Sequence, residues 1–439
     1  MSEKLQPGYR VKTILGSTIE VVKHLGEGGQ GDVYYVNYNG QPKALKWYKS
    51  AGLGQKPQAF YDNIKNNITK GSPSPEFLWP QDMTDWTDGT FGYIMDLRPD
   101  GYYEISEYML THQRFSSFKV AIDAAMHIVS AFRILHNNGY SYQDLNDGNF
   151  FINPKNGKVL ICDNDNVAPD RYVSGVLGKP RYMAPEIVMG KSMPNKLSDR
   201  YSMSVLLFII LCLTHPLEGK RWLDATGLTP KAQELLYGEK ALFIMDEDDK
   251  SNGPDRKIHK NVLMVWGFLP AYVRDIFLKA FSQKALQNPN ARPLELDWLK
   301  VLVRFRSEII GCGCGNEIFS DQGNPCKCDA CKKPANIPFR LEFSDYSIPG
   351  VPDARIYRCQ LGTCNADEAL MPVGRVFAKK DNPNLLGIRN LTQKSWKAFT
   401  PSGKEKRVAP DEVVPLIDGI VFQIDTGAMT PTIIKIHAN

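Results

Sequence analysis

The segment Tyr142-Gln-Asp144-Leu-Asn-Asp-Gly-Asn149 carries an aspartate followed five residues later by an asparagine, and then the apolar pair Phe150-Phe151. One loop thereby offers a carboxylate base and an oxygen ligand for a metal. Leu160-Ile-Cys-Asp163-Asn-Asp165 follows, with Asp163 placed 19 residues after Asp144 (163 − 144) at the end of an apolar run. A strand ending in a carboxylate supplies a second oxygen ligand. Mg²⁺ favours such hard donors and takes substrate phosphates alongside them. Each aspartate alone could be a turn or cap residue; in this order and spacing they point to one site.

Upstream, Gly26-Glu-Gly28-Gly29-Gln-Gly31-Asp-Val33 separates two strand-like runs. Glycines there let backbone N–H groups approach phosphates with no Cβ in the way. A plain glycine-rich hairpin turn is the alternative. Ala44-Leu-Lys46 lies on the next run. Lys46 there is either a point charge for α- and β-phosphates or an ordinary edge-strand lysine.

The elements that must hold these residues follow from periodicity. Ile19–Leu25, Val33–Tyr38 and Pro42–Trp47 alternate apolar and polar side chains and read as three antiparallel strands. A helix is predicted over Gln58–Lys70, a break at Gly71-Ser-Pro-Ser-Pro75, and a further strand at Phe91–Met95. From Ser117 the apolar residues recur at helical spacing, from Val120 to Leu135. A short hairpin is predicted over Phe150–Asp163, and helices near Ser198–Leu213, Pro270–Phe281 and Leu294–Phe305. A strand-rich small lobe thus precedes a helical large lobe that ends near residue 308.

Five cysteines lie between Cys312 and Cys331. Cys312-Gly-Cys314 and Cys328-Asp-Ala-Cys331 flank a loop of thirteen residues, Gly315 to Lys327. Four thiolates suffice for a tetrahedral structural Zn²⁺, and the preferred ligands are Cys312, Cys314, Cys328 and Cys331, with Cys326 as a spare or substitute. A disulfide set is the alternative. Beyond Ala335 short β-type runs alternate with turn signals. Leu386–Thr392, Trp396–Phe399 and Val413–Phe422 read as strands of an all-β, sandwich-like module.

The chain has 439 residues, 43% hydrophobic and 23% charged, with a net charge of +5. That length suggests about three domains, and the composition excludes a mostly disordered chain. The charge is too mild to predict a nucleic-acid partner. The apolar run Val205–Leu213 is too short to cross a bilayer, so no membrane role is expected. With no apolar leader and few cysteines, the expected compartment is the cytoplasm.

Taken together, the first three hundred residues resemble eukaryotic-like (Hanks-type) bacterial Ser/Thr protein kinases. Gly26-x-Gly28-x-x-Gly31-x-Val33 matches the glycine-rich loop, and Ala44-Leu-Lys46 the Val-Ala-Ile-Lys strand. Asp144 and Asn149 match the catalytic-loop base and metal-binding Asn, and Asp163 the Mg²⁺-binding Asp. Tyr182-Met-Ala184-Pro185-Glu186 matches the Ala-Pro-Glu motif, Ser198-Asp199 the start of the central large-lobe helix, and Arg292 the partner of Glu186. The resemblance implies an α+β, bilobal kinase fold over residues 1–308, with lobes at about 10–97 and 98–308. A zinc ribbon (309–335) and an all-β domain (336–439) would follow. It implies ATP, Mg²⁺ and a protein substrate. Gly26, Gly28, Gly29, Gly31, Val33, Ala44, Lys46, Met95, Asp96 and Leu97 would surround the nucleotide, with Met95 as gatekeeper. Asn149 and Asp163 would hold Mg²⁺.

The pattern departs at several places. Gln143 replaces the catalytic-loop Arg, so phosphorylation-gated switching of the common kind is not expected. Asn164 replaces the Phe after the metal-binding Asp. Asn146 replaces the lysine that neutralises the γ-phosphate, and Lys179 is positioned to return that charge or is simply a loop lysine. Only Asp62 stands where an acidic partner for Lys46 would be sought, as that partner or as a solvated helix residue. These departures keep a pseudokinase scaffold open as the second reading, and a small-molecule kinase of the aminoglycoside type as a third. Ser174, Tyr172 and Tyr182 are candidate self-targets. The C-terminal strands resemble forkhead-associated-like sandwiches, without that family's phosphothreonine-reading Ser and His. With the run Gly71–Pro80, the tail also resembles kinases of tellurite-resistance-type stress clusters. Partners implied by that resemblance are a cognate protein phosphatase and a von Willebrand A-type protein.

Overall fold

The structure, a computed structural model, describes residues 4–54, 56–172, 178–225, 227–320, 327–425 and 431–439. Ser174 and Cys326 lie outside these residues. The chain groups into two compact units, one of residues 1–116, 131–269 and 277–293, the other of residues 117–130, 270–276 and 294–439.

The first unit opens with β1 (Arg10–Lys12), β2 (Thr18–Glu27), β3 (Gly31–Tyr38), β4 (Gln41–Tyr48), helix α1 (Pro57–Lys70), β5 (Asp82–Met83) and β6 (Gly92–Met95). They form one antiparallel sheet in the order β1-β2-β3-β4-β6-β5. The β3–β4 hairpin closes on Asn39-Gly40, both at positive φ (51° and 79°), the conformation a tight two-residue turn demands. Period-2 alternation on β4 puts Leu45 and Trp47 into one apolar cluster with Val21, Tyr34 and Ile94. Ala44 and Tyr48 enter another with Phe60, Tyr61 and Ile64 of α1. Lys46, between Ala44 and Tyr48, therefore faces the α1 side. Pro57 starts α1, and Gly71, at φ 77°, ends it.

Next come β7 (Tyr103–Glu104), α2 (Ile105–Met109), α3 (Phe118–Asn137), β8 (Tyr140–Ser141), β9 (Phe150–Ile152), β10 (Val159–Ile161), β11 (Ala168–Pro169), α4 (Pro185–Val188) and α5 (Lys196–Cys212). Asn195 and Ser198 form a capping box at the start of α5, and Tyr201 to Cys212 are all buried, which accounts for the apolar run. No helix of the described residues is long and apolar enough to cross a membrane. A helix at Lys260–Phe268 was not anticipated: it buries Val262 and Trp266 but exposes Met264 and Phe268, so no polar stripe marks it.

In the second unit, β12 (Ile309–Gly311) pairs with β13 (Glu317–Phe319), and Cys312 and Cys314 lie in the turn between them. Then follow β14 (Phe339–Glu342), β15 (Ser347–Gly350), β16 (Arg355–Tyr357), β17 (Pro372–Lys379), β18 (Asn382–Asn390), β19 (Trp396–Phe399), β20 (Glu405–Val408), β21 (Val413–Pro415), β22 (Val421–Ile424) and β23 (Thr432–Ala438). They build two antiparallel sheets, β15-β14-β23-β22-β19-β20 and β16-β17-β18-β21. Leu341, Ile356, Val376, Ile388, Trp396, Phe422 and Ile436, from both sheets, share one apolar core. The apolar stretch 413–422, expected as one strand, is two: Asp418-Gly419, with Gly419 at φ 77°, turns the chain between β21 and β22.

Candidate active site

The loop between β8 and β9 is fixed from below by Asp199 in the first turn of α5. Its carboxylate accepts the backbone N–H groups of Tyr142 (2.7 Å) and Gln143 (3.2 Å) and meets His136 Nε2 at 3.2 Å. Gln143 has a positive φ of 72° and is buried. Its amide donates to the carbonyl of Tyr172 at 3.0 Å, so a neutral side chain holds the downstream segment where the resemblance expects an arginine.

Asp144 follows. Its Oδ1 accepts from Asn146 Nδ2 at 3.2 Å. Burial pushes its carboxyl up to about 6, against the Asn146 hydrogen bond and with help from the charge of Asp163. Asn149 Nδ2 donates to the Asp144 carbonyl at 3.0 Å, which leaves Asn149 Oδ1 as an acceptor. Cys162 N donates to the Asn149 carbonyl at 2.8 Å and so ties the loop to the residue before Asp163. An amide oxygen and a carboxylate 40% open to solvent are donors of the kind Mg²⁺ takes.

Lys46 is fully enclosed. Its Nζ lies 2.9 Å from Asp165 Oδ2, 3.2 Å from Asp163 Oδ1 and 3.4 Å from Gln30 Oε1. Burial alone would lower its pKa, but the charges of Asp165 and Asp163 outweigh burial and raise it. Asp62 is not the partner: it is exposed and accepts from Gln58 on the same helix at 3.0 Å. The acid that meets Lys46 is Asp165, 119 residues away in sequence. Its neighbour Asn164 is fully buried and donates to the carbonyls of Leu78 (2.8 Å) and Ile161 (2.9 Å), replacing the expected apolar contact with hydrogen bonds.

The turn of the glycine-rich stretch is Gly28-Gly29-Gln30, closed by Gly28 N to Gly31 O at 2.8 Å, with Gly26 on β2. A Cβ on Gly31 would sit 2.3 Å from Trp47 O, so only glycine fits beside β4 there. Val33, Ala44, Met95 and Leu97 belong to one apolar cluster. The Asp96 carboxylate is turned to Lys43 and Gln81, so only its backbone is free for an adenine edge.

Lys179 Nζ donates to Asn146 Oδ1 at 3.0 Å, with the side chain 60% exposed. Beyond it, Arg181 forms a two-point pair with Glu218 (2.6 and 2.9 Å), and Tyr237 donates to Glu218 at 2.8 Å. Glu186 and Arg292 meet at 2.6 and 2.8 Å, the expected structural pair. Tyr182 is buried and Tyr172 partly exposed.

His215 lies beneath Arg181. Its Nε2–H donates to the Arg181 carbonyl (2.8 Å) and its Nδ1 accepts from Leu217 N (3.2 Å), so the ring is neutral. Burial depresses it to about 4, opposed by Glu218 and aided by Arg181. From the ordinary 6.5 down to about 4, the unfolded chain binds a proton that the folded one refuses, so stability is lost with acid through that window. Between pH 7 and pH 5 the loss from this group is about 2 kcal/mol. Chemical denaturation at both pH values should show a smaller drop for His215→Gln.

The four sulfurs of Cys312, Cys314, Cys328 and Cys331 lie within 4.8 Å of one another. The pairs 312–331 and 314–328 stand at 3.6 and 3.5 Å, far beyond a disulfide bond of about 2.05 Å and near the ~3.8 Å edge of a zinc tetrahedron with ~2.3 Å bonds. The donor set fits zinc. Glu317 on the adjoining hairpin accepts the N–H groups of Phe118 (2.7 Å) and Lys119 (3.1 Å), capping α3.

Four functional side chains escaped the sequence reading. Asp165 and Tyr48 gather around Lys46, Asn63 and Asn67 reach from α1 to the Val167 carbonyl, and only Asp165 left a signal, an acid where the resemblance expects glycine.

The protein kinase domain family matches residues 19–233. The chain is 28% identical to the maternal embryonic leucine zipper kinase of Xenopus laevis over 123 residues, 27% of this chain and 18% of that protein. It is 26% identical to a probable serine/threonine-protein kinase, MARK-C, of Dictyostelium discoideum over 260 residues, 55% of this chain and 32% of the relative. With the protein kinase YegI of Escherichia coli O157:H7 it shares 24% over 332 residues, 68% and 47% of the two chains. Each alignment thus spans less than half of the relative's length. Among solved structures, the PknI kinase domain of Mycobacterium tuberculosis aligns at a TM-score of 0.45 and 16% identity, over 68% of this chain and 98% of that one. Residues 19–233 thus match the protein kinase domain family, and the relatives that the chain resembles include a probable serine/threonine-protein kinase.

Proposed function

We propose that the chain transfers the γ-phosphoryl group of ATP to serine or threonine hydroxyls of a protein, its own included. The observation that carries this reading is the meeting of Lys46 with Asp163, while Asn149 is bonded to Asp144 on one side and to the start of the Asp163 segment on the other. Asn149 and Asp163 would hold Mg²⁺, which would supply charge neutralisation on the phosphates. Lys46 holds the α- and β-phosphates beneath the turn at 28–30. Asp144 orients the acceptor hydroxyl and takes its proton as the new P–O bond forms and the bond to the β-phosphate oxygen breaks. The pair Glu186–Arg292 and the segment that ends on it favour a protein acceptor over a small molecule.

Lys179 restores, through Asn146, the cation that the loop lacks. Lys179→Ala should lose about 2–4 kcal/mol of transition-state stabilisation, read as kcat/KM, and a change within about twofold removes the role. The four cysteines hold a structural zinc that leaves no open position for a substrate. Cytoplasmic location, in keeping with the sparse cysteines, and a docking or regulatory role for the β module belong to this reading, as do the phosphatase and von Willebrand A-type partners that the resemblance of the tail implies.

Labelled ATP with Mg²⁺, the full chain and its Asp144→Ala variant decide the matter. Label on wild type alone supports the kinase, and the labelled residues, Tyr172 and Ser174 among the candidates, give the hydroxyl preference. Nucleotide binding without transfer supports the scaffold reading.

A further inference from the structure

We propose that Asp165 is the positioning residue of Lys46, doing from the metal-binding segment what an acid on α1 would otherwise do; the inference rests on the reading of Lys46 as the phosphate-binding lysine. The Asp165 side chain is completely buried, and its Oδ2 lies 2.9 Å from Lys46 Nζ. The same oxygen accepts from the hydroxyl of Tyr48. Tyr48 stands two residues after Lys46 on the same face of β4, so one strand presents both donors to one carboxylate oxygen.

An enclosed ammonium, 6% exposed, needs an anion beside it. Asp163 at 3.2 Å cannot fill that need alone: it is 40% exposed and shares its charge with the metal whenever the site is loaded. Asp165 is enclosed beside Lys46 and stands at the shorter distance, 2.9 Å. Helix α1 offers no acid to the cleft. Asp62 points to Gln58, and the α1 side chains that reach the segment are Asn63 and Asn67, each donating to the Val167 carbonyl at 2.8 Å. Residues 163–167 therefore hold β4 through Asp165, α1 through Val167 and Leu78 through Asn164. Lys46 is positioned by the segment that binds the metal, and a swing of α1 does not by itself withdraw its counter-ion.

Asp165→Asn keeps the shape and an acceptor for Tyr48 but removes the charge. In the full chain with Mg²⁺, affinity for a non-hydrolysable ATP analogue should fall about tenfold or more and kcat/KM for ATP about 100-fold, and the melting temperature should drop, while KM for the protein acceptor holds. Asp62→Asn should change none of these. Because Asp165 acts through Lys46, the double variant Lys46→Met/Asp165→Asn should lose no more than Lys46→Met alone. Wild-type affinity and kcat/KM in a folded Asp165→Asn, full additivity in the double variant, or the same loss on Asp62→Asn overturns the assignment. If Asp165→Asn does not fold, Tyr48→Phe decides: weaker analogue binding supports the role and unchanged binding overturns it. A wild-type chain that binds the analogue but transfers no phosphate refutes the enzymatic reading, and the affinity comparison still judges Asp165. One that binds no nucleotide overturns both.

Discussion

Asp144→Asn lowers kcat by about 10²–10⁴-fold while leaving nucleotide affinity and the melting temperature near wild type. The substitution is close to isosteric. The backbone carbonyl that receives Asn149 is untouched, and a side-chain oxygen remains for Asn146. What goes is the proton acceptor. Lys46 and its carboxylates are contacted by other groups, so binding should survive. Single-turnover phosphotransfer beside analogue binding separates the two quantities. A variant that keeps kcat within about tenfold would mean that the hydroxyl proton leaves by another route.

Loss of the metal from the four-cysteine site should be the largest stability effect in the second unit. Structural zinc sites contribute about 10–16 kcal/mol of apparent binding free energy near neutral pH, and here little else could replace it. Among the described residues, the apolar cluster around the site holds only Ile310, Ile318, Cys328 and Ile337 at its buried centre. Elemental analysis should find one zinc per chain in wild type and none in Cys328→Ser, and Co²⁺ loaded into wild type should give the thiolate charge-transfer bands of a four-sulfur site. Cys326→Ser should keep the zinc. Because Glu317 of the same hairpin caps α3, chelation should also speed amide exchange at Phe118 and Lys119. Unchanged metal content in Cys328→Ser would refute the ligand set.

Much of the site was legible because its chemistry fixes spacing. The interval from Asp144 to Asn149 is one loop, and Asp163 lies just beyond the end of a short strand after it. The alternation on β4 was equally readable, since it is local. The partner of Lys46 was not, because the contact joins residues 119 apart and only packing selects it. Even so, a clue against Asp62 was present. The buried residues of α1 are Phe60, Tyr61, Asn63, Ile64 and Asn67, and at 100° per residue Asp62 falls on the opposite face. The anchoring role of Asp199 left only a motif, and the bonds to Val167 left none, since the acceptor is a backbone carbonyl.

The buried amide of Asn164 bears on pharmacology. Inhibitors that work by prising out the side chain behind the metal-binding aspartate would here strip a donor from two carbonyls, at about 1–3 kcal/mol for each left unsatisfied. Compounds of that class should therefore bind this chain poorly.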